Sequence, residues 1–183
     1  MQDRTPATAF APFNVTLRDG REVLVREIGD YDKAGLLVAF NRLSADARYT
    51  RFMAAMRQLP EAMLEQATHP SPEREFALVA IATENDTRTI VGGARYAAAP
   101  GSDLCEFAVT VSDNWHGLGL ASELMRGLVD VATRRGYRHM EGYVLSSNTS
   151  MRRLAKHLGF ADTPCPDDAT LRVVTLTLQS GEQ

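Results

Sequence analysis

The stretch Asn114–Met125, NWHGLGLASELM, decides how this chain is read. Two glycines, Gly117 and Gly119, and two small residues, Ala121 and Ser122, stand between a Trp-His pair and an apolar helical pattern. Glycine weakens a helix, so two of them at a helix entrance serve backbone geometry rather than stability. The amides of a first helical turn lack intrahelical partners, the helix dipole adds about half a positive charge, and small side chains let an anion approach. Gly117, Leu118, Gly119, Leu120, Ala121 and Ser122 therefore read as a backbone cradle for phosphate.

The flanking sequence frames that cradle. Before it lies LCEFAVTV, Leu104–Val111, an extended run; after it Leu120, Leu124, Leu128 and Val131 form one stripe, which predicts a helix over Gly117–Arg135. Upstream, FALVAIATE from Phe76 and TIVGGARYAAA from Thr89, with turns at Asn85-Asp86 and Pro100-Gly101, complete an antiparallel three-strand meander. Downstream, a strand over His139–Leu145, a helix over Asn148–Leu158 and a strand over Leu171–Leu178 close the chain.

Nearer the N-terminus, Asn14–Leu17 and Glu22–Ile28 read as a hairpin turning at Asp19-Gly20. Asp30 is placed to cap a helix carrying Leu36, Leu37, Phe40 and Leu43 on one face. Ser44 opens a second helix through Tyr49, Phe52 and Met53, and Pro60 suits the first turn of a third. Residues 1–12 read as a flexible arm and 13–183 as a single domain, the natural count for 183 residues.

Composition narrows the function classes. Hydrophobic residues make up 44% and charged residues 23%, with a net charge of -3, so there is no electrostatic footprint for nucleic acid. No apolar window is long enough to span a bilayer and no signal-like N-terminus is seen, which reads as cytoplasmic with no membrane partner. Cys105 and Cys165 fit neither a disulfide framework nor a zinc site, and no metal-ligand spacing occurs, so no metal is expected. The sequons at Asn14, Asn85 and Asn148 have no meaning without secretion.

Which phosphate ligand follows from the details. GLGLAS, with Glu141 roughly 20 residues on, invites a dinucleotide reading. Five residues, Ser112 to His116, nevertheless separate strand from first glycine, and Ser122 replaces the third glycine, both against that fingerprint. No lysine follows the glycines, which excludes a P-loop.

His116–Ala121 resembles the Gln/Arg-x-x-Gly-x-Gly/Ala signature of the GNAT superfamily of N-acetyltransferases, placed after a Val-x-Val strand. NTSMRRLAKHLGF, Asn148–Phe160, is similar to the family's Asn-led helix ending in Gly-Phe. RLSADARYTRFM, Arg42–Met53, resembles a segment of the acetyltransferase domain of Pat-type bacterial protein lysine acetyltransferases, and CEFAVTV resembles their Glu-containing strand. The resemblance implies an α+β, three-layer GNAT-like fold: a central, mostly antiparallel mixed sheet flanked by helices, with the family's fourth and fifth strands splayed. It implies acetyl-CoA as co-substrate and transfer to a primary amine, on a protein lysine or a small molecule, in a ternary complex. A homodimer is compatible with it.

The same resemblance carries roles over. Gly117–Ser122 would hold the pyrophosphate, with His116 standing where the family has Gln or Arg. Val109 and Val111 would offer backbone groups to the pantetheine arm, and Asn148 would touch the cofactor while capping its helix. Glu106 is the candidate base, and its chemistry is needed: a lysine-like amine with a pKa near 10.4 is neutral in only about one molecule in a few thousand at pH 7. Glu106 is the one carboxylate in LCEFAVTV; a purely structural ion-pairing role is its bland alternative. Many relatives carry a tyrosine acid seven residues after the motif Asn, where this chain has Ala155, so the acid is unassigned. That departure supports a rival reading as a non-catalytic acyl-CoA sensor. Cys105 alternates with Glu106 and points to the opposite face, against an acetyl-cysteine relay.

Overall fold

A computed structural model describes residues 9–179. The N-terminal hairpin forms as β1 (Phe13–Thr16) and β2 (Glu22–Glu27), and the meander as β3 (Glu75–Glu84), β4 (Thr87–Ala98) and β5 (Leu104–Val111). Then follow β6 (His139–Leu145), β7 (Ala161–Pro164) and β8 (Leu171–Thr177), with the helices α1 (Lys33–Arg42), α2 (Ala45–Phe52), α3 (Glu61–Thr68), α4 (Leu120–Arg134) and α5 (Thr149–His157) between strands. One eight-stranded sheet runs in the order β1-β2-β3-β4-β5-β6-β8-β7. Every neighbouring pair is antiparallel except β5 and β6, which are parallel.

The two faces have different chemistry. On one, α4 lays Leu120, Leu124, Leu128 and Val131 against Phe76, Leu78, Tyr96, Cys105 and Phe107, all buried. Each large side chain removed from water there contributes about 1.5–3 kcal/mol, which makes this layer the main source of stability. On the other face, α1 covers Val79, Ile81 and Ile90 through Leu36 and Ala39 in a thinner layer. Of the arm expected over 1–12, residues 1–8 lie outside the described residues. Phe10 packs on the rings of Phe13 and Phe76 at 5.9 and 5.7 Å between centroids.

Several boundaries differ from the sequence reading, each for a physical reason. The helix expected from Gly117 begins at Leu120, because Gly117 (φ 72°) and Gly119 (φ 94°) are left-handed and belong to the turn. Leu37 is exposed, so the core-facing stripe of α1 is half-buried Leu36 and buried Phe40, continued by buried Leu43 just past the helix end. Asp30 does not cap α1. Asp32 does the anchoring: its carboxylate accepts from both terminal nitrogens of Arg26 at 2.8 Å and from the Gly29 amide at 2.8 Å. Burial alone would raise that carboxyl, but these hydrogen bonds outweigh it and hold it below the usual range. Ser44 caps α2, its Oγ accepting from the Ala47 amide at 3.1 Å.

Candidate active site

The parallel pair β5 and β6 is where the sheet opens. Their register runs Leu104 to His139, Cys105 to Met140 and Glu106 to Glu141, and stops there. Beyond it β5 remains paired with β4 through Val111, while β6 continues against β8 to Leu145. The family's fourth and fifth strands, β5 and β6 here, are splayed as expected.

Backbone polarity along the opened edge follows from the β4–β5 ladder. The Ser112 amide donates to the Val91 carbonyl at 2.9 Å, and Val111 lies opposite Gly92, so Val111 and Gly92 form a pair that exchanges no hydrogen bonds. Alternation then turns the amides and carbonyls of Phe107, Val109 and Val111 away from β4 and into the opening. At Val111 the carbonyl is taken: His116 Nε2 lies 2.7 Å from it and is the donor. His116, predicted beside the pyrophosphate, is thus tied back to the end of β5.

The glycine turn sits at the mouth of this opening. Among the described residues, none of the amides from Gly117 to Ser122 donates to a protein acceptor. A Cβ on Gly117 would meet nothing within 4 Å, and one on Gly119 only Arg18 Nε at 3.9 Å. Of the five residues before Gly117, three form a short 3-10 turn, Asp113–Trp115, with Trp115 buried.

Charge reaches this turn from an unforeseen source, the N-terminal hairpin. The Arg18 amide donates to the Leu118 carbonyl at 3.2 Å and Arg18 Nη1 to the Gly117 carbonyl at 3.3 Å. Arg21 stacks 3.7 Å above the Trp115 ring and donates to the Asn114 carbonyl at 3.0 Å. The hairpin pattern was visible in the sequence, but no local signal told that its arginines close on a loop a hundred positions away.

Glu106 and Glu141 are opposite each other at the last paired position, on the face away from α4. Although Glu106 reaches solvent, neighbouring protein strips part of its hydration, and this first, then the Glu141 charge, raises its carboxyl above the ordinary range. Two residues beyond Glu141, exposed Tyr143 has its phenol raised by Glu141 first, then by lost hydration and Glu106. Cys105 is fully buried, and burial pushes its thiol up to about 12, which leaves it protonated and no nucleophile.

Asn148 caps α5, its Oδ1 accepting from the Met151 amide at 3.1 Å. Arg152 is committed to Asp162 at 2.8 Å and to the Ser146 carbonyl at 3.2 Å, a structural role. Ala155, in the position where relatives place an acid, is buried in the main core.

A cavity of about 170 Å³ lies on the Glu106 face, between the sheet and α1–α3. Leu36, Phe40, Leu43, Phe52 and Met63 wall it, and its floor includes Gly93, Ala108 and Thr110. Ala108 follows Glu106 by two residues on the strand, hence on the same face. The Ser44 amide donates to Asp113 Oδ2 at 3.3 Å, which fastens α2 to the turn that precedes the glycines.

The site is thus a mixed sheet opened between two parallel strands, with an amide-lined turn at its mouth. The comparisons with known proteins give the family. Residues 39–160 match the Acetyltransferase (GNAT) family. The chain is 36% identical to Acetyltransferase PA5475 of Pseudomonas aeruginosa over 97% of its own length and 98% of that protein's. It is 27% identical to Acetyltransferase Pat of Mycolicibacterium smegmatis over 84% of its length, and spans 45% of that longer protein. The crystal structure of the GNAT domain of S. lividans PAT superposes with a TM-score of 0.82 at 26% identity, covering 91% of this chain and 97% of that one. The chain belongs to the GNAT acetyltransferases, enzymes that use acetyl-CoA to acetylate amines. Among the described residues no group of side chains could hold a metal ion, and no helix is long and apolar enough to cross a membrane.

Proposed function

We propose that this chain transfers acetyl from acetyl-CoA to a primary amine, on a protein lysine or a small molecule, by direct attack in a ternary complex. The observation that carries the reading is the β5 edge, unpaired beyond Glu106 and ending at a turn whose amides have no protein acceptor. The free amides from Gly117 to Ser122 suit the pyrophosphate, with Arg18 adding a full positive charge that the dipole alone lacks. Val109 offers both backbone groups to the amides of the pantetheine arm, as an added strand would receive them, whereas Val111 offers its amide only. Asn148 acts as a cap beside that channel. His116 shapes the turn by holding the end of β5.

Acetyl-CoA supplies a thioester, at whose carbonyl carbon the C–N bond forms as the C–S bond breaks and coenzyme A departs. The protein's part is proton handling. Glu106, directly or through one water, takes the proton from the ammonium, and its raised pKa brings it nearer the working pH at which a base is effective. Tyr143, two residues beyond Glu141 and on the same face, carries a phenol raised above its ordinary range and is the candidate to return a proton to the departing thiolate. Isothermal calorimetry with acetyl-CoA, followed by thiol release with a panel of primary amines, tests the proposal. Binding without release from any amine would defeat the enzymatic half; no binding would defeat all of it.

A further inference from the structure

The cavity on the Glu106 face contains two arginines, Arg51 from α2 and Arg95 from β4, among mostly apolar walls. Their situations differ. Arg95 donates to Glu75 at 2.9 Å, and Glu75 is held in turn by the Ser71 amide at 2.7 Å. Arg51 has no hydrogen bond and no carboxylate partner among the described residues; its guanidinium carbon lies 4.8 Å from the centre of the Phe52 ring. Burial, and after it the Arg95 charge, pushes the Arg51 guanidinium down to about 10, so it remains cationic at neutral pH.

Arg51 is half-buried, and its unpaired charge facing an apolar cavity loses hydration without gaining a partner. With Arg95 neutralised by Glu75, the cavity carries one uncompensated positive charge, which matches a monoanion rather than a phosphate dianion. Thr110 and Ser112 add hydroxyls to the lining, and the leucine, phenylalanine and methionine walls call for an apolar body. The reacting carboxylate Glu106 precedes Ala108 of the cavity floor by one step on the same strand face. Glu106 itself lies outside the cavity lining, so a molecule anchored at Arg51 must extend along the β5 face past Ala108 to bring its amine to Glu106.

We infer that Arg51 is the anchor for a carboxylate on the amine acceptor, so that the acceptor is an apolar amino acid-like molecule rather than a plain amine. The inference rests on the proposed transferase reading and names the substrate class of that same site. It is also consistent with the Arg-Phe ending of the Arg42–Met53 segment, for which the cofactor site has no use: Arg51 supplies the charge and Phe52 the wall.

The experiment separates the two readings. Calorimetry on the full chain compares hexanoate with hexanamide, neither of which carries an amine, so the outcome does not depend on turnover. Hexanoate should bind the wild type about tenfold more tightly, the worth of one charged hydrogen-bonding partner, and Arg51→Met should abolish the difference while Arg51→Lys keeps part of it. Acetyl-CoA binding by Arg51→Met should match the wild type, which shows that the variant is folded. In turnover, ε-aminohexanoate should show a KM about tenfold below that of hexylamine, a gap likewise lost in Arg51→Met. Equal binding of hexanoate and hexanamide to the wild type overturns the inference without reference to any variant. A carboxylate preference that appears with succinyl-coenzyme A and hexylamine, and not with ε-aminohexanoate, overturns it as well by placing the anion on the acyl group. If no amine is acetylated yet hexanoate binds through Arg51, the transferase reading fails and the carboxylate site stands.

Discussion

Arg18 Nη1 donates to the Gly117 carbonyl at 3.3 Å, joining residues 99 apart and setting a guanidinium beside the turn whose amides are free. The contact leaves the rest of an exposed side chain able to meet an anion. Arg18→Gln retains a hydrogen-bonding group but removes the charge, and acetyl-CoA affinity should fall about tenfold, the scale of one charge-assisted hydrogen bond. Screening should shrink the effect, so calorimetry at low and high salt checks it: an unchanged affinity at low salt excludes Arg18 from the cofactor site.

Gly119 holds φ at 94° with open space where its side chain would be. Gly119→Val places a β-branched residue in a left-handed conformation and fills the approach to the amides of Leu120 and Ala121. Strain costs about 1–2 kcal/mol in stability, whereas loss of the cradle should weaken acetyl-CoA by a hundredfold or more, roughly twice that energy. Thermal denaturation and calorimetry on one preparation compare the two losses. A stability loss with affinity intact would show that the glycine serves the turn alone.

Much of this arrangement was legible beforehand because it is periodic. Strand alternation from Phe76 to Val111, the stripe on α4 and the Asn85-Asp86 turn, whose φ values are 49° and 61°, all follow from local chemistry. β7 was missed: Ala161–Pro164 is four residues long, ends in proline and forms because β8 offers it an edge. The redirection of His116 to Val111, the approach of Arg18 and the isolation of Arg51 depend on contacts between distant segments, which no window of sequence contains. Leu37 misled for a related reason, since α1 contacts only a narrow strip of sheet and its apolar stripe is wider than that strip.

Ala155 is 1% exposed, and its carbonyl accepts from the Phe160 amide at 2.9 Å, just past the end of α5. The position has no room for the phenol that many relatives place there. Ala155→Tyr should overpack the core by about 1–3 kcal/mol and lower Tm by about 3–10 °C, without restoring an acid. A variant as stable as the wild type would mean that the side chain turns out into the β5–β6 opening.

The proton donor is then sought on β6. Tyr143→Phe removes one hydroxyl from an exposed residue, so stability and acetyl-CoA affinity should stay near wild type while kcat falls several-fold. The loss should be smaller with an acyl donor whose thiol is more acidic, since such a leaving group needs less help. Equal kcat for the two proteins with acetyl-CoA removes Tyr143 from the mechanism.

Glu106 and Glu141, opposed where the strands part, make the sharpest test. Glu106→Gln conserves volume and hydrogen bonding but not basicity, so acetyl-CoA binding should persist while kcat/KM near neutral pH drops about a hundred- to ten-thousand-fold. The defect should narrow as pH rises toward the amine pKa, because neutral amine then forms without help. Glu141→Gln acts in the opposite direction on the pH axis. Lost hydration is the larger cause of the raised Glu106 pKa and the Glu141 charge the smaller, so removing that charge lowers the pKa part of the way. Glu106 must be ionised to act as base, hence the acid limb of the kcat/KM profile should move to lower pH in Glu141→Gln, with the plateau little changed. Stability carries the matching sign. A carboxyl raised on folding favours the fold most below its unfolded pKa, and that contribution is lost as pH rises through the folded value. Wild type should therefore lose stability relative to Glu106→Gln across that window and regain none of it above. An acid limb that does not move in Glu141→Gln, or moves upward, would show that the profile reports another group, and Glu106 would be left as a structural carboxylate at the fork of the sheet.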